Sequence, residues 1–583
     1  MNDFQVWAPD ARTIHLVLER SHNLPLNKTD GGWWRLSLPE VTSGTDYWYS
    51  LDDGKPLPDP RSPWQPYGVH GPSRTLDHSD FAWSDLRWQP PPLSSAIFYE
   101  LHVGTFTPEG TFDSAIHKLD HLIQLGVTHI ELMPVAEFPG ERGWGYDGVD
   151  LFAPHHAYGG PSGLKRFVDA CHYRGLAVLL DVVYNHLGPD GNYLGAFGPY
   201  FTEKYHTPWG QAVNLDGPGS TEVRRFLCDN ARAWLRDYHI DGLRLDAIHA
   251  IFDSSAIHFL EQLAIEIEDL EAETGRGFDL IAENDLNDPR VVTSREAGGY
   301  GLDAQWNDDF HHALHAVLTG EHIGYYSDFG KIEDLAASLK NVYVYAGRYS
   351  EYRGGVHGRP VRDLSTHRFV GFLQNHDQVG NRAKGDRVSH LLSIRMLKIG
   401  AALVLCAPFL PMLFQGEEFG ANTPFLYFTD HQDPALPAAV SNGRREEFAP
   451  FGWKPEDVPD PQARGSFESS KLNWRQIEQH PHDDILRWYQ SLISLRRSHP
   501  ALCDGSLDRV DVEFNENDAW LTLYRQSIAV VCNVSSRRLS IFLRFAGDPL
   551  LASDPDFAMH GNVVDVPGES VMIVEQTAKR RIS

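Results

Sequence analysis

Cysteine is scarce in this sequence, with five residues among 583, and the five lie far apart along the chain. No two of them form a C-x-x-C pair, and an odd number cannot complete a set of disulfides. This pattern excludes a disulfide framework and a cysteine-based zinc site. Sparse, unpaired thiols are typical of a reducing compartment, so the sequence predicts a cytoplasmic protein. The cysteines are Cys171, Cys228, Cys406, Cys503 and Cys532.

Long apolar runs are also missing. The longest, residues 399–414, is interrupted by Pro408 and Pro411 and is too short to cross a bilayer. Asp3 stands where a secretion signal would be basic, and no apolar stretch follows it. The sequence therefore predicts neither a membrane-spanning helix nor a signal peptide.

Positive charge is deficient. The chain has 51 Lys and Arg residues against 79 Asp and Glu residues, a net charge of −28. Binding of nucleic acids or anionic membranes requires clustered cations, so the charge argues against both as partners. A composition with 42% hydrophobic residues is that of a globular protein, and it is compatible with a neutral ligand such as a sugar.

The sequence pattern divides the chain into three regions. Residues 1–93 contain short stretches of alternating apolar and polar residues between Gly, Pro and Asp, which predicts a β-sandwich domain. The proline-rich segment 88–93 is typical of a stiff linker. Residues 500–583 return to short alternating strands and predict a C-terminal β-sandwich domain. Residues 94–499 lie between these two regions.

The middle region alternates buried strands with helical patterns. Eight such strands over roughly 400 residues predict an α/β fold, a (β/α)8 TIM barrel with long loop insertions. A doubly wound open sheet is the competing topology, but no G-x-G-x-x-G follows any strand. The predicted strands are residues 97–103, 127–133, 176–183, 240–246, 278–283, 302–306, 369–374 and 409–414.

Acidic and basic residues gather where four of these strands end, which is the catalytic face of a barrel. Arg244 and Asp246 lie two residues apart on one strand, so both point to the same side. An arginine beside a carboxylate keeps it ionised, as a nucleophile requires. Two carboxylates, one as nucleophile and one as acid and base, suit retaining cleavage of a glycosidic bond. The strand ends carry Asp181 and His186; Arg244, Asp246 and His249; Glu283; and His376, Asp377, Gln378 and Asn381.

The competing interpretation is that strand-end carboxylates form structural ion pairs. For any one of them that interpretation is about as good as a catalytic role. It does not account for four such segments at strand ends.

Other side chains could contact a sugar. Tyr146 is the aromatic residue we predict to stack on a ring, ahead of Trp144, Trp209, Trp306 and Phe310. A calcium ion held by Asp181 and Asn185 is a weaker prediction, because no acidic calcium loop accompanies them. The acidic and histidine residues 308–312 could bind metal or sugar hydroxyls, and adjacent histidines point apart, which favours sugar. We therefore predict no metal ion and no cofactor. The candidates in this segment are Asp308, Asp309, His311 and His312.

Four motifs give the sequence a resemblance to the α-amylase family. DVVYNH (181–186), GLRLDA (242–247), AEN (282–284) and QNHD (374–377) look like its four signature regions, in the same order. The resemblance covers nearly the whole chain and includes an N-terminal domain similar to those of isoamylases and branching enzymes. Asn284 departs from the family, which more often has serine there.

The resemblance implies a retaining mechanism and a role for each matched residue. Asp246 would be the nucleophile, Glu283 the general acid and base, and Asp377 the stabiliser of the transition state. It also implies that the sugar at the cleaved bond is surrounded by His186, Arg244 and His376, with Tyr146 stacked beneath it.

Five longer segments resemble a trehalose-releasing group within that family: residues 99–112, 142–168, 303–315, 375–387 and 411–431. The resemblance implies cleavage of the α-1,4 bond next to a terminal trehalose, and functional pairing with a synthase that forms this substrate. Recognition of trehalose would then depend on the leaving-group side of the site. The predicted residues are Asp308, Asp309, His311, His312, Gln378 and Arg382.

Two alternatives remain from the sequence. One is a glycogen-branching or debranching enzyme with the same domain plan, and product analysis distinguishes it. The other is a non-catalytic polysaccharide-binding module, and the three carboxylates Asp246, Glu283 and Asp377 argue against it.

Overall fold

The computed structural model describes residues 2–18, 22–448 and 454–577. Proline-rich composition over residues 450–461 predicts a long barrel loop, and its first residues, 450–453, lie outside the described ranges. The strands of the N-terminal region are β1 (Asn2–Trp7), β2 (Ile14–Leu18), β3 (His22–Pro25), β4 (Asn27–Lys28), β5 (Trp33–Leu38), β6 (Asp46–Leu51) and β7 (Ser73–Arg74).

These strands form two antiparallel sheets, ordered β1-β5-β4 and β3-β2-β6-β7. In β1 the residues alternate, so that Phe4 and Val6 are buried while Asp3 and Gln5 are exposed. The buried residues of one sheet pack against those of the other, and the rings of Phe4 and Tyr47 lie 5.0 Å apart. The region is thus a β-sandwich, as predicted.

The middle region is a closed barrel of parallel strands. Among the described residues the barrel has eight strands, and they follow one another around it in the order of the chain. This confirms the TIM barrel and rules out the open sheet. Each predicted strand contains an observed one. Their bounds are β8 (Phe98–Leu101), β9 (His129–Leu132), β12 (Ala177–Val182), β15 (Gly242–Leu245), β16 (Asp279–Ala282), β17 (Ala304–Trp306), β20 (Phe369–Phe372) and β21 (Leu410–Phe414).

The helices cover the outside of the barrel with their apolar faces. In the helix of residues 220–237, Val223, Phe226, Leu227 and Trp234 are buried at the helical period. The helices are α1 (Val103–Phe106), α2 (Phe112–Ile116), α3 (Leu119–Leu125), α4 (Gly160–Tyr173), α5 (Leu194–Phe197), α6 (Ser220–Asp237), α7 (Phe259–Thr274), α8 (Asp308–Thr319), α9 (Ile332–Asn341), α10 (His376–Gly380), α11 (Val388–Leu391), α12 (Ile394–Cys406), α13 (Leu436–Phe448), α14 (Arg464–Ser469) and α15 (His482–Ser498). No helix among the described residues is long and apolar enough to cross a membrane.

Three β-hairpins extend the loops that follow barrel strands. The hairpins pair β10 (Ala136–Glu137) with β11 (Asp150–Pro154), β13 (Phe201–Thr207) with β14 (Gly210–Val213), and β18 (Arg348–Ser350) with β19 (Gly355–His357).

The connection between β16 and β17, a fully described stretch, differs from the expected pattern. The chain makes short 3₁₀ turns there, where the sequence pattern suggested a helix.

The C-terminal region forms two antiparallel sheets, ordered β22-β23-β24-β29-β26 and β25-β28-β27, with a shared apolar core. Its strands are β22 (Val510–Asn515), β23 (Trp520–Arg525), β24 (Ile528–Asn533), β25 (Leu539–Phe542), β26 (Gly547–Ala552), β27 (Ala558–His560), β28 (Val563–Val566) and β29 (Ser570–Gln576). The exact domain boundaries, after residues 93 and 499, stay predictions.

The segment before the barrel is fixed to the barrel's amino-terminal end by a buried histidine. His172 of α4 bonds Asp85 through Nδ1 at 2.7 Å and Asp241 through Nε2 at 2.8 Å. Trp88 stacks on the same imidazole, with ring centroids 4.5 Å apart, and donates to Asp241 at 2.8 Å. Although burial opposes it, the two carboxylates raise the pKa of His172.

Candidate active site

The predicted carboxylates meet at the carboxyl end of the barrel. Asp181 is in β12, Asp246 directly follows β15, and Glu283 directly follows β16. Asp377 is in the first turn of α10, a short helix after β20. Parallel strands of a closed barrel end on one face, which is why residues far apart in sequence converge here.

Arg244 lies at the centre of this group and is completely buried. Its Nη1 is 2.8 Å from Asp181 and 2.7 Å from Asp246, and its Nη2 is 3.5 Å from Glu283. The guanidinium also stacks over the ring of Trp306, 4.3 Å from the centroid. One fixed cation therefore sets the positions of three carboxylates.

Asp246 is held in its ionised form. Asn185 donates from Nδ2 to Oδ2 of Asp246 and to its backbone carbonyl, each at 2.8 Å. Burial alone would raise the pKa of Asp246, but Arg244, His186 and the Asn185 bond together bring it below its ordinary value. An ionised carboxylate with a fixed orientation is what a nucleophile needs.

Glu283 is in the opposite electrostatic situation. Burial raises its pKa, and the charges of Asp246 and Asp377 raise it further, against the opposing charge of Arg244. The backbone N–H of Ala247 donates to Oε2 of Glu283 at 2.7 Å. Two carboxyl groups whose pKa values move in opposite directions are the pairing expected of a nucleophile and a general acid.

His376, Tyr146 and Asp377 form the next layer. The Tyr146 hydroxyl is 2.6 Å from Asp181 and 2.7 Å from Nε2 of His376, and the two rings stack at 5.2 Å. Nε2 of His376 also lies 3.5 Å from Asp377, whose side chain is 42% exposed. Burial lowers the pKa of His376, but Asp377 and Glu100 outweigh it and raise that pKa to about 9.

His186 and His249 act on Asp246 and Glu283 respectively. His186 is buried, bonds Asn185 through Nδ1, and stacks on Trp209 with centroids 4.2 Å apart and planes at 7°. Trp209 itself is half exposed, in the β13–β14 hairpin. His249 is exposed, and its charge acts to lower the pKa of Glu283.

The residues of α8 divide between the cleft and the core. Asp308 as a whole residue is only partly buried, but desolvation of its carboxyl raises its pKa well above the ordinary value, and the charges of Glu283, Asp285 and Asp377 raise it further. Asp309 differs from its prediction as a sugar contact. It is 1% exposed and its Oδ2 accepts the backbone N–H groups of Val344 and Tyr345, at 2.8 and 2.7 Å.

The two predicted histidines of α8, His311 and His312, are both buried, but they differ in their hydrogen bonding. His311 bonds the Leu373 carbonyl and the Tyr326 hydroxyl, each at 2.9 Å, so both ring nitrogens are used within the protein, contrary to its prediction as a sugar contact. Nδ1 of His312 has no partner among the described residues, and its ring lies 5.0 Å from that of Tyr325.

The predicted residues after Asp377 also differ from one another. Arg382 makes a two-fold bond to Glu321 with both distances 2.8 Å. Its Nε has no hydrogen-bond partner among the described residues, although it lies 4.0 Å from Oδ2 of Asp386. Asn381 is exposed and donates to Asp377 at 3.2 Å. Gln378 has a buried Oε1 that no described residue bonds.

The residues considered for calcium are occupied by other bonds. Asn185 binds Asp246 and His186, and Asp181 binds Arg244 and Tyr146. Among the described residues one group has metal-ligand geometry: Glu137, His155 and His156. Its atoms already bond each other, since Oε1 of Glu137 is 3.1 and 2.6 Å from the two Nδ1 atoms.

Two buried glutamates of the barrel interior were missed in the sequence. Glu100 of β8 accepts the backbone N–H of His376 at 3.0 Å and also bonds its Nδ1. Glu131 of β9 is its register partner. The sequence did carry a signal, because a glutamate interrupts each of the otherwise apolar strands FYEL and HIEL.

A closed eight-stranded barrel whose strand ends bring two carboxyls with opposite pKa shifts to one arginine is the arrangement of a glycoside hydrolase of the α-amylase class. Residues 75–205 match the family model for the alpha-amylase catalytic domain. The full-length comparison is more specific: the chain belongs to the malto-oligosyltrehalose trehalohydrolase family. The relative from Arthrobacter ramosus is 52% identical over 514 residues, 88% of this chain and 89% of its own. The relative from Rhizobium sp. (strain M-11) is 47% identical over 98% of this chain and 97% of its own.

Solved structures agree with this fold. A Salmonella typhimurium protein provisionally named an alpha amylase superposes with a TM-score of 0.90, at 38% identity over 98% of this chain and 97% of its own. A pullulanase from Group B Streptococcus, solved with maltotetraose, has a TM-score of 0.75 at 18% identity, covering 99% of this chain and 86% of its own. At that identity the likeness concerns the fold alone.

Proposed function

We propose that this chain hydrolyses the α-1,4 bond next to the terminal trehalose of a malto-oligosyltrehalose and releases trehalose. The observation that carries the proposal is the position of Arg244 between Asp246 and Glu283, with opposite pKa shifts of the two carboxyls. The relatives that carry the trehalohydrolase name match nearly the whole chain, which supports the choice of substrate.

The reaction is a double displacement. Asp246 attacks the anomeric carbon while the bond to the leaving trehalose breaks, and the proton of Glu283 passes to the departing oxygen. Asp377 stabilises the positive charge that develops on the sugar. Water then gives a proton to Glu283 and attacks the same carbon, which releases Asp246 and a free maltooligosaccharide. His186, Arg244 and His376 would surround this sugar, and Tyr146 would stack beneath it.

Trehalose recognition is assigned to a polar group beyond Asp377. Tyr325 lies next to several members of this group. The charges of Arg382, Asp377 and Asp308 all act on its hydroxyl, and its ring lies 5.0 Å from that of His312. Three buried atoms of this group have no hydrogen-bond partner among the described residues: Oε1 of Gln378, Nδ1 of His312 and Nε of Arg382. An unpaired buried polar atom costs about 1–3 kcal/mol, and a ligand hydroxyl that pairs it recovers that cost.

The proposal extends to a biological setting. The substrate must come from an enzyme that converts the reducing end of a maltodextrin into a trehalose unit, so we place this chain with such a synthase in trehalose biosynthesis. All five cysteines are free, four of them buried, which supports a reducing cytoplasmic location.

Product analysis tests the proposal. The enzyme is incubated with maltotetraosyltrehalose and, in parallel, with maltohexaose, and the products are separated by chromatography. Trehalose and maltotetraose in equimolar amounts are expected from the first substrate, with much slower cleavage of the second. Asp246→Asn serves as the inactive control. Longer or branched glucans as the main products would instead indicate a branching enzyme. A Vibrio parahaemolyticus branching enzyme is 33% identical, but over only 53% of this chain.

A further inference from the structure

The barrel interior beneath the active site holds more acid than the catalytic scheme uses. Glu100 and Glu131 are register partners on neighbouring strands, and each is 1% exposed. Like charges side by side in a low-dielectric interior are costly, so a buried pair of this kind calls for a reason. The two glutamates nevertheless have different surroundings.

Glu100 is bonded to His376 through both of its carboxylate oxygens. Oε2 accepts the backbone N–H at 3.0 Å and Oε1 accepts the ring Nδ1–H. This two-point contact fixes both the start of α10 and the plane of the imidazole. Glu131, in contrast, leaves its Oε2 without a partner among the described residues.

The hydrogen bonds around His376 indicate how many protons its ring carries. Tyr146 has one hydroxyl proton, and it goes to Asp181, whose oxygens also accept from Arg244. The 2.7 Å contact between the Tyr146 oxygen and Nε2 of His376 then needs a proton on Nε2. With Nδ1 donating to Glu100, this arrangement of donors and acceptors is the one that a ring protonated on both nitrogens would make.

We propose that Glu100 is a positioning residue that holds His376 as an imidazolium aimed at Tyr146 and Asp377. This role rests on the proposed function. Glu100 fixes the imidazolium of His376 beside Asp377, the proposed stabiliser of the transition state, without itself touching substrate. Glu131 has no such task, because no described bond joins it to His376.

Several titratable groups face His376, and each affects the charge of its ring. Glu100 and Glu131 approach from β8 and β9, Asp181 from β12, Arg244 from β15, and Tyr146 and His102 from neighbouring loops. Asp377 is its chain neighbour. Among these carboxylates, Glu100 accepts from two donors of His376, the backbone N–H and the ring Nδ1–H. Removal of Glu100 should therefore change His376 more than removal of Glu131.

The test compares Glu100→Gln with Glu131→Gln, the same substitution at two equally buried register partners. An amide has one oxygen for two donors, so Glu100→Gln should lower kcat about 100-fold with KM nearly unchanged, as expected when a reacting group is misplaced. Glu131→Gln should stay within about threefold of wild type, since no bond to the reacting groups is lost. Equal losses in the two variants would overturn the proposal.

A second readout needs no substrate. In protein labelled at histidine, the His376 ring signal, assigned by its loss in His376→Gln, reports protonation by NMR. Wild type and Glu131→Gln should keep the doubly protonated form at pH 7.5, and Glu100→Gln should lose it. A neutral ring in wild type overturns the proposal. This result stands apart from the proposed function, which product analysis of wild type decides.

Glu100→Asp covers the case in which Glu100→Gln does not fold. It keeps the charge but cannot reach both donors, so we expect a large loss of kcat with the doubly protonated ring retained. Wild-type kcat in Glu100→Asp contradicts a positioning role.

Discussion

The backbone N–H of Ala247 lies 2.7 Å from Oε2 of Glu283, so the residue after the proposed nucleophile Asp246 binds the proposed acid directly. Ala247 adopts a left-handed conformation with φ of 39°, which is unfavourable for a residue with a Cβ. That turn brings the N–H towards β16. Oε1 of Glu283 does not take part in this bond, so in the proposed mechanism it is the oxygen that would carry the proton.

Asp246→Asn should abolish hydrolysis and leave the fold intact. The amide has nearly the same shape but cannot form the covalent intermediate, so we expect a loss of at least about 10³-fold in kcat. Rate measurements on malto-oligosyltrehalose check this, with circular dichroism as the folding control. A variant that keeps a tenth of the activity would remove Asp246 from the nucleophile role.

Glu283→Gln should discriminate between leaving groups. A substrate whose leaving group needs no proton, such as a nitrophenyl α-maltooligoside, should lose far less activity than malto-oligosyltrehalose. The ratio of the two rate losses is the measurement. Equal losses on the two substrates would show that Glu283 is not the acid.

The pH dependence of kcat/KM should be bell-shaped. The acid side follows Asp246, whose lowered pKa keeps it ionised to pH values below the usual aspartate range. The alkaline side follows Glu283, whose raised pKa keeps the proton it must donate to pH values above the usual glutamate range. In Glu283→Gln, assayed with the nitrophenyl substrate, the alkaline decline due to this group should disappear. Its persistence at the same pH assigns it to another group.

Specificity for trehalose should respond to Gln378 and not to Asp309. Gln378→Ala removes an unpaired buried oxygen from the proposed leaving-group site, so kcat/KM should fall about tenfold more on malto-oligosyltrehalose than on plain maltooligosaccharide. Asp309→Ala frees the Val344 and Tyr345 N–H groups, so stability and both activities should fall together. A selective loss in Asp309→Ala would return that residue to the substrate site.

His172→Ala should destabilise the contact between the N-terminal region and the barrel. Removing one partner of a buried ion pair costs on the order of 3–5 kcal/mol, so the melting temperature should fall clearly, whereas the exposed-histidine control His206→Ala should not change it. Because the native pKa of His172 is raised, its stabilisation is full below the unfolded pKa and is lost as pH rises through the native value. Calorimetry at pH 6 and pH 9 measures this. A difference between wild type and variant that does not shrink at pH 9 contradicts the assignment.

The strands and their acidic ends could be predicted because burial leaves a strong pattern. Parallel barrel strands read as continuous apolar runs, and Asp181, Asp246, Glu283 and Asp377 follow such runs where the barrel face must lie. The order of these segments also carried the family resemblance. Their bonds to Arg244 could not be read from sequence, apart from that of Asp246 two residues away.

The polar residues inside the barrel and in α8 could not be assigned in this way. Glu100 interrupts the otherwise apolar strand FYEL, which marks it as unusual but does not reveal that His376 is its partner. Asp309 and His311 follow a strand end just as Asp308 does, but the helix rotates successive side chains by about 100°, so one neighbour faces the cleft and the next ones face the core. Sequence spacing does not reveal that rotation until the start of the helix is known.

The contacts of His172 limit how freely the enzyme can be recombined. Asp85 and Trp88 belong to the segment before the barrel, yet they complete the bonding and stacking of a barrel histidine. A chimera that joins a foreign sandwich at residue 93 would leave Asp241 and His172 without these partners. A chimera should therefore be joined before Asp85. The β-sandwich is then exchanged, while the segment with Asp85 and Trp88 stays with the barrel.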